Sequence, residues 1–278
     1  MISVVIPAHN EARVIGRLLD GLLAGAEPGE FDIVVVPNGC TDDTASIAAD
    51  HGPDVRVVES PTASKHAALR LGDEHAKGFP RLYVDADIEL TAGAARALAD
   101  ALEEPGVLAV GPRRLVVRDS SAWPVRWYYD IWDQLPSVRS GLYGRGVIGV
   151  SEAGHHRIVS MPEVMGDDLA ASVAFSDAER KVVSAAMVVV HAPRTVGDLI
   201  RRRVRSQTAV SQLAGVTPAA AAARTSRADL VGILRRRPVL APQLAVFLAV
   251  TIVARQRARR PIRRGDFSTW LRDDSSRA

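Results

Sequence analysis

The chain has 278 residues, 47% hydrophobic and 24% charged, which is ordinary for a folded domain and unlike a disordered or collagen-like chain. Its single cysteine, Cys40, excludes an intrachain disulfide, and no Cys/His cluster has zinc spacing, so we expect a reducing, cytosolic setting. The net charge of +3 is unevenly distributed: Arg194–Ala278 contains 18 arginines, no lysine and five aspartates, a balance of +13, against −10 for the first 193 residues. A basic tail on an acidic body predicts docking to a membrane surface, a nucleic acid or an acidic partner.

Short apolar runs alternate with helical patterns over the first part of the chain. The predicted strands are Ile2–Ile6, Phe31–Val36, Val55–Val58 and Arg81–Val84. The predicted helices are Glu11–Leu23, Thr44–Ala49 with Thr41 as its cap, Lys65–Lys77 and Thr91–Leu102. Strands that alternate with helices of this length predict a mostly parallel sheet with helices on both faces. The first run is too short for a signal-peptide core and has no basic lead-in, so we expect a buried strand there.

The regular alternation then stops. Further strands are predicted at Val107–Val117, as one long strand or a bent pair, and at Val147–Val150 and Val182–Val190, with a basic helix at Thr195–Leu213. An aromatic patch and a glycine-rich stretch, Gly141–Gly146, lie between the first two of these strands. The patch residues Trp123, Trp127, Tyr128 and Trp132 have i, i+4, i+5, i+9 spacing, which is typical of a helix packing face. A platform for an acceptor sugar or a membrane anchor is the alternative.

The segment Val239–Ala254 is mostly apolar but shorter than the roughly 20 residues that a membrane-spanning helix needs. Three arginines, Arg235–Arg237, precede it, and four arginines between Arg255 and Arg260 follow it. An apolar helix between arginine clusters is typical of a helix that lies in a membrane interface. A core helix that covers the sheet domain is the alternative, and the sequence leaves both open.

The segment Val84-Asp85-Ala86-Asp87 ends a predicted buried strand. In open parallel sheets, ligands bind beyond the carboxyl ends of the strands. Two carboxylates two positions apart can reach one Mg²⁺ or Mn²⁺ ion, and such ions are often shared with substrate phosphates. A metal held there would neutralise a diphosphate leaving group. Because the pattern alone is common, a turn whose aspartates cap the next helix remains the alternative.

Two other polar segments follow predicted strands. Pro7–Glu11 leaves the first strand, where polar side chains can line a nucleotide pocket, but Asn10 and Glu11 also suit a helix start, as cap and as acidic partner of the helix dipole. Asn38–Thr44 leaves the second strand, and its Asn38-Gly39 pair allows a tight turn with positive φ. A plain strand–turn–helix connection also accounts for this second segment.

Together, the three segments resemble the family-2 glycosyltransferases of the GT-A fold. That family has a VVIPxxNE opening, a second turn of the form V-x-D/N-G-S/C-T-D-x-T and a DxD motif after a later strand, which correspond here to Ile2–Glu11, Asn38–Thr44 and Asp85–Asp87. The resemblance covers the chain from Met1 to about Val210. It implies an α/β fold of the GT-A (Rossmann-like) type with a mostly parallel sheet and flanking helices. It also implies transfer of a sugar from a nucleotide-sugar donor with Mg²⁺ or Mn²⁺.

The resemblance assigns several residues to the nucleotide of the sugar donor. Pro7, His9 and Glu11 would hold its base and ribose. Asn38 stands where the family usually has an aspartate that meets the base, and this departure leaves the identity of the base open. Lys65 lies in a segment that commonly contacts the nucleotide or its phosphates.

The DxD aspartates, Asp85 and Asp87, would hold the metal, with Asp87 as the direct ligand and Asp85 also touching the nucleotide. His191 ends a predicted strand at a place where some GT-A enzymes recruit a further metal ligand. A surface histidine with satisfied hydrogen bonds is the alternative for His191.

The segment Gly166–Leu169 resembles the Glu-Asp catalytic pair of the family. Asp168 takes the place of the general base, and Asp167 replaces the usual glutamate. The base would deprotonate an acceptor hydroxyl that attacks the anomeric carbon from the face opposite the diphosphate, with inversion of configuration. The alternative is a helix cap formed by Asp167 or Asp168.

Further residues are assigned to the diphosphate or the acceptor. Gly149 would let the acceptor approach the backbone closely, with a bulged strand as the alternative. Arg194, Arg202 and Arg205 lie in the region of the family's Q/R-x-x-R-W motif and would clamp the diphosphate. Ser206 replaces the tryptophan of that motif, which weakens the case for a processive polysaccharide synthase. A solvated basic helix face is the alternative for the arginines.

We predict a catalytic GT-A domain at 1–213 and a helical, arginine-rich extension at 214–278. The enzyme would be cytoplasmic and peripheral on the inner face of the cell membrane, with a UDP- or GDP-sugar as donor and a sugar, a lipid-linked molecule or a small molecule as acceptor. One alternative is a sugar-nucleotide nucleotidyltransferase, which would need a G-x-G-T-R-x loop where this chain has Pro7–Glu11. A nucleic-acid-binding protein is disfavoured by the acidic body and the lack of aromatics among the arginines, so no nucleic acid is expected as partner.

Overall fold

The structure, a computed structural model, describes residues 1–161, 167–215 and 225–265, together with Ser275. The strands of this described part are β1 (Ile2–Ala8), β2 (Phe31–Pro37), β3 (Val55–Val57), β4 (Arg81–Val84), β5 (Ile88–Leu90), β6 (Ala109–Val117), β7 (Val147–Val150) and β8 (Arg180–His191). Its α-helices are α1 (Ile15–Leu23), α2 (Thr44–Ala49), α3 (Lys65–His75), α4 (Ala92–Leu102), α5 (Trp123–Trp132), α6 (Pro136–Ser140), α7 (Glu152–Val159), α8 (Asp167–Val173), α9 (Val196–Ala214), α10 (Arg227–Arg236) and α11 (Ala241–Arg264). A short 3-10 turn, Pro238–Leu240, precedes α11.

The strands form one sheet in the order β3-β2-β1-β4-β7-β6-β8-β5. Its first half, β3-β2-β1-β4, is entirely parallel, so the carboxyl ends of these four strands lie at the same end of the sheet. In the second half, β7 runs antiparallel to β4 and β6, β5 runs antiparallel to β8, and β6 and β8 are parallel. The predicted α/β fold with a mostly parallel sheet is confirmed, with four parallel pairings and three antiparallel ones.

β1 and β2 are buried along their whole length because helices cover both faces of the sheet. This double burial explains why their sequences are continuous apolar runs and not alternating ones. Val4 and Ile6 share a core with Ile15 of α1 on one face. On the other face α3 lies so close that a Cβ on Gly72 would stand 2.4 Å from Val5 Cγ1.

The turns after β1 and β2 differ from the helix caps predicted for them. Asn10 is not the cap of α1, because it adopts a left-handed conformation with φ of 54° and its Oδ1 accepts the Thr41 N–H at 2.7 Å. Nor is Thr41 the cap of α2, since Asp43 occupies the N-cap position and Asp42 Oδ1 accepts the Thr44 N–H at 3.1 Å. Asp42 thus contacts both the start of α2 and the turn after β1, because its Oδ2 also accepts the Ala12 N–H at 3.1 Å.

A second apolar cluster holds α5 against α9, α10 and α11. Phe247 of α11 stacks on Tyr128 of α5 with ring centroids 4.9 Å apart, and Leu199 of α9 is buried in the same cluster. The packing face predicted for the aromatic patch is confirmed at Tyr128, whereas Trp123 at the start of α5 is 54% exposed. The core-helix alternative for Val239–Ala254 is confirmed for the inner side of α11. The domain boundary at 213 stays a prediction, and the alanine run beyond 218 lies outside the described residues.

Candidate active site

Polar residues collect where the parallel strands β1, β2 and β4 end. His9 follows β1, Asn38 follows β2, and Asp85 and Asp87 follow β4. Because β1 is hydrogen-bonded to both β2 and β4, the three strand exits are neighbours. Lys65, the first residue of α3, reaches the same place, and its Nζ lies 2.6 Å from Asp85 Oδ1. The structure therefore brings the three sequence motifs together at one end of the sheet.

The exits of β1 and β2 are tied to each other by hydrogen bonds. His9 Nδ1 lies 2.6 Å from the Asn38 carbonyl oxygen, and Asn38 Nδ2 donates to the Ala8 carbonyl oxygen at 2.8 Å. The Glu11 N–H donates to Thr44 Oγ1 at 2.8 Å. Asn38 and Glu11 are buried, at 3% and 7% exposure. The Asn38 side chain thus fixes the backbone between two strands through an N–H that an aspartate does not have.

Arg205 of α9 is influenced by the charges of acidic residues from two distant segments. Burial lowers the pKa of its guanidinium, the neighbouring charge of Arg202 lowers it further, and Asp85, Asp87 and Asp168 oppose this by raising it. The charges of the DxD aspartates and of the predicted general base therefore act on the same guanidinium.

Asp168 lies at the start of α8 and is oriented by two backbone groups. Its Oδ2 accepts the Gly144 N–H at 2.7 Å, and its Oδ1 accepts the Leu169 N–H at 2.8 Å. It is the second residue of α8, so its contact with the Leu169 N–H lies in the first turn of that helix. Burial raises the pKa of the adjacent Tyr143, and the negative charge of Asp168 adds to that rise. The side chain of Asp167 lies outside the described residues.

The glycine loop, Gly141–Gly146, connects the two acidic groups. Gly144 donates its N–H to Asp168, and the Gly146 carbonyl oxygen accepts the Asp85 N–H at 2.7 Å. Both glycines have positive φ, 66° and 71°. A Cβ on Gly146 would also stand 2.6 Å from Ile88 Cγ2. The loop therefore has no space for a side chain at position 146, where its carbonyl oxygen accepts the Asp85 N–H.

Comparison with known proteins identifies the family. Residues 3–148, just over half of the chain, match the family model for glycosyl transferase family 2. The chain belongs to this family. Of the curated proteins, 4,4'-diaponeurosporenoate glycosyltransferase from Staphylococcus aureus (strain USA300) is 32% identical over 126 residues, 42% of this chain. Those residues are 33% of that relative, so the match spans about a third of its length.

Solved structures share the GT-A fold of the family. The mannosyltransferase PcManGT from Pyrobaculum calidifontis, in complex with GDP-Man and Mn²⁺, has a TM-score of 0.65 at 18% identity over 93% of this chain and 86% of that one. Staphylococcus aureus TarS 1-349 in complex with UDP-GlcNAc has a TM-score of 0.50 at 18% identity over 68% of this chain and 58% of that one. At these identities the likeness establishes the fold.

Two arginines outside the family motifs support the glycine loop. Arg145 is 3% exposed, and burial followed by the positive charge of Arg114 lowers its pKa to about 10. It donates to the carbonyl oxygens of Pro112 (2.7 Å), Gly141 (2.8 Å), Arg139 (2.9 Å) and Val138 (3.1 Å). Arg114 donates to the Gly144 carbonyl oxygen at 2.9 Å and lies over the Trp132 ring at 4.1 Å. Sequence reasoning missed both arginines, because their partners are backbone carbonyls that only the folded loop brings together.

His191, which the family resemblance offers as a metal ligand, has a carboxylate partner. Its Nε2 lies 2.8 Å from Glu89 Oε1, and its carbonyl oxygen accepts from Arg202 Nη1 at 3.4 Å. Among the described residues, no three histidine, cysteine or acidic side chains are arranged to hold a metal ion. Magnesium bound to a substrate diphosphate needs only one or two carboxylates from the protein, and Asp85 and Asp87 fit that requirement.

Three further residues that the sequence predicts for the site are Pro7, Gly149 and Arg194. Pro7 is buried within β1, directly before the strand exit. Gly149 lies inside β7, where a Cβ would stand 2.7 Å from Leu82 Cδ2, so packing within the sheet accounts for this glycine. Arg194 follows β8 and donates its backbone N–H to Ser275 Oγ at 2.9 Å.

Proposed function

We propose that this family-2 protein transfers one sugar from a UDP- or GDP-sugar to an acceptor hydroxyl, with inversion at the anomeric carbon. The observation that carries this proposal is that Asp85 and Asp168 are hydrogen-bonded to Gly146 and Gly144, two residues apart in the glycine loop, and that their charges act on the same residue, Arg205. A place for a charged diphosphate therefore lies beside a carboxylate that can activate a hydroxyl. The nucleotide sugars bound in PcManGT and in TarS support a nucleotide-sugar donor.

In the proposed reaction, Asp168 acts on the acceptor, and the residues around Asp85 and Asp87 act on the leaving group. Asp168 takes the proton of the acceptor hydroxyl, whose oxygen attacks the anomeric carbon while the bond to the diphosphate oxygen breaks on the opposite face. Gly144 and Leu169 hold the Asp168 carboxylate in a fixed direction through their N–H groups, so little reorientation is needed when the acceptor arrives. The negative charge then accumulates on the departing nucleotide diphosphate.

Fixed positive charges face that leaving group. Lys65 and Arg205 place an ammonium and a guanidinium beside the DxD aspartates, and both groups bind phosphate oxygens well. Asp85 and Asp87 would hold Mg²⁺ or Mn²⁺, which supplies charge neutralisation at the diphosphate when bound. The Mn²⁺ in PcManGT supports the use of a divalent metal.

We assign the nucleotide to the exits of β1 and β2, where Pro7, His9, Glu11 and Asn38 lie. The acceptor is a sugar, a lipid-linked molecule or a small molecule that enters on the Asp168 side. Catalysis is assigned to residues 1–213, and the enzyme is placed in the cytoplasm, peripheral to the membrane. Family membership disfavours the nucleotidyltransferase and nucleic-acid-binding alternatives, since the matched model is a glycosyltransferase one.

The proposal is tested by thermal shift and turnover on three variants. We expect either UDP or GDP to raise the melting temperature of the wild type, and to do so more strongly with Mn²⁺. Asp87→Ala should abolish the metal-dependent part of this shift. Asp168→Asn should keep it but lower turnover at least about 100-fold, because the general base is lost. Asp100→Ala, an exposed carboxylate on α4, serves as the matched control and should change neither.

Two outcomes would contradict these roles. A full metal-dependent shift in Asp87→Ala would remove Asp87 from the metal site. Wild-type turnover in Asp168→Asn would remove the general base and, with it, the mechanism proposed for this site.

A further inference from the structure

The outer side of α11 is apolar and exposed over its first three turns. Ala241, Ala245, Leu248, Ala249 and Ile252 are all exposed, Leu248 by 38% and Ile252 by 53%. Their i, i+4, i+7, i+8, i+11 spacing places them on one side of the helix. We call these five residues the outer stripe.

The other side of α11 is packed on the protein. Leu244, Phe247 and Val250 are buried in the cluster with α5, and Ala254 and Ala258 are buried beside Val204 of α9. The segment Pro238–Arg264 is long and apolar enough to cross a membrane. Crossing would require these buried contacts to be broken, so a position along a membrane surface fits the structure better than a span.

Arginines continue the outer stripe and flank it. Arg255, Arg259 and Arg263 follow Ile252 at i+3, i+7 and i+11, on the same side of the helix, and all three are exposed. Arg235–Arg237 are exposed at the opposite end. Between residues 235 and 264 the sequence contains nine arginines and no acidic residue. An apolar stripe continued by cations matches a surface that has an apolar interior and anionic headgroups.

We infer that the outer side of α11 docks on an anionic lipid surface, with the outer stripe inserted between headgroups and the arginines on the phosphates. A second copy of the chain fits poorly, because its own arginines would meet those of the first. Nucleic acid would pair with the arginines but would leave the outer stripe without an apolar partner. The acidic remainder of the chain, at −10 for residues 1–193, is repelled by the same surface, which orients the molecule with α11 towards the lipid.

This docking would hold the candidate active site near the lipid. α9 carries Arg202 and Arg205 and packs directly on α11 through Val204 and Ala254. The helix that carries Arg202 and Arg205 therefore lies beside α11, the helix that docks on the lipid. The inference goes beyond glycosyl transfer and is tested without a sugar donor.

Vesicle flotation of the whole protein tests the inference. The wild type should float with vesicles of phosphatidylcholine mixed with phosphatidylglycerol, should float much less with phosphatidylcholine alone, and should lose binding as salt is raised. Leu248→Glu combined with Ile252→Glu should reduce flotation at least about tenfold, because two inserted side chains become anionic. Val159→Glu, a 62% exposed apolar residue on α7, is the matched control and should float like the wild type.

Three results would overturn the inference: equal flotation with both kinds of vesicle, undiminished flotation of the double variant, or an equal loss in the Val159→Glu control. A fourth would replace it: if the wild type is a dimer that the double variant converts to a monomer, and neither floats, the outer stripe belongs to a second copy. Circular dichroism checks that both variants fold, which their exposed positions favour. The nucleotide-induced thermal shift is measured on the same samples, so a failure of docking is distinguishable from a failure of the proposed activity.

Discussion

Asn38 stands where the family usually has an aspartate, and its side-chain amide bonds to backbone carbonyl oxygens. Its Nδ2 donates to the carbonyl oxygens of Ala8 at 2.8 Å and Val36 at 3.3 Å, in a position that is 3% exposed. A carboxylate there would face two carbonyl oxygens with no hydrogen to offer. The amide therefore holds β1 and β2 together at the place where the sugar donor's base is proposed to bind.

Asn38→Asp is expected to lower the free energy of unfolding by about 1–3 kcal/mol, the usual cost of an unsatisfied buried polar group. The loss should shrink as the pH falls, because a protonated carboxyl regains a hydrogen-bond donor. Urea unfolding at several pH values measures both effects. A variant as stable as the wild type at neutral pH would show that the two carbonyl contacts contribute nothing.

The sequence was informative about residues that carry a family motif and uninformative about those that support them. The family resemblance names Asp85, Asp87, Asp168, Lys65 and Arg205; in the structure Lys65 contacts Asp85, and the charges of the three aspartates act on Arg205. Arg145 and Arg114 were missed, although they fasten the loop between the two carboxylates. Their partners are carbonyl groups, which every residue has, so nothing in the sequence distinguishes these two arginines from solvated ones.

At the scale of elements, the glycine loop links the exit of β4 to the start of α8. Gly144 and Gly146 both have positive φ, but only Gly146 also lacks space for a side chain. The loop should therefore respond differently to the same substitution at its two positions.

Gly144→Ala is expected to cost about 1–2 kcal/mol of stability, the penalty of a left-handed conformation with a Cβ. Gly146→Ala should cost more and weaken the nucleotide-induced thermal shift, because the clash with Ile88 displaces the carbonyl that holds the Asp85 N–H. Gly106→Ala, with φ of 85° and nothing within 4 Å, isolates the conformational penalty and should leave nucleotide binding intact. Similar nucleotide binding in all three variants would contradict a positioning role for the loop.

Asp32 joins β2 to its neighbours and makes their packing sensitive to pH. Burial alone would raise the pKa of Asp32, but the Lys77 N–H, the Arg56 guanidinium and the Ser3 hydroxyl more than offset this and lower it below its ordinary value. A folded-state pKa below the unfolded one stabilises the protein above the unfolded pKa, and the stabilisation is lost as the pH falls through the folded pKa.

Asp32→Asn is expected to reduce the free energy of unfolding by about 2 kcal/mol near neutral pH, since charged hydrogen bonds are lost. The difference from the wild type should disappear in acid, where the wild-type carboxyl is protonated as well. Asp100→Asn on the exposed side of α4 should show no such dependence. A constant difference at all pH values would mean that charge at Asp32 is not what stabilises the strands.

Element boundaries show which local signals were decisive. The apolar runs of β1, β2 and β4 were recognised because double burial leaves continuous hydrophobic sequences. The short strand β5 and the helices α6 and α7 were not predicted, because their few residues carry no period that differs from a loop. The sequence predicts too early a start for α1, since the Asn10 side chain and the Glu11 backbone N–H make contacts between the two turns and α1 begins at Ile15.

At the scale of the whole molecule, the sequence left open what the C-terminal helix does. The core-helix alternative describes its inner side, and the membrane-interface alternative stays a proposal for its outer side, which is exposed and apolar. Periodicity alone does not reveal which apolar residues meet another helix, because that depends on the position of α5 and α9, which are distant in the chain. The sequence therefore predicts a separate arginine-rich extension, whereas α11 shares an apolar cluster with α5.

This packing predicts that α11 is needed for the integrity of the site. Phe247→Ala should remove about 3–5 kcal/mol of stability by leaving a cavity against Tyr128, and it should weaken the nucleotide-induced thermal shift because α9, which carries Arg205, loses support. Leu248→Ala, on the next residue but on the outer side, should stay within about 1 kcal/mol of the wild type. If the two variants proved equally stable, α11 would not be packed on α5 in solution.

By the same reasoning, deletion of Pro238–Ala278 should expose the apolar cluster and give aggregated protein, so membrane docking is better tested by substitutions on the outer stripe than by truncation.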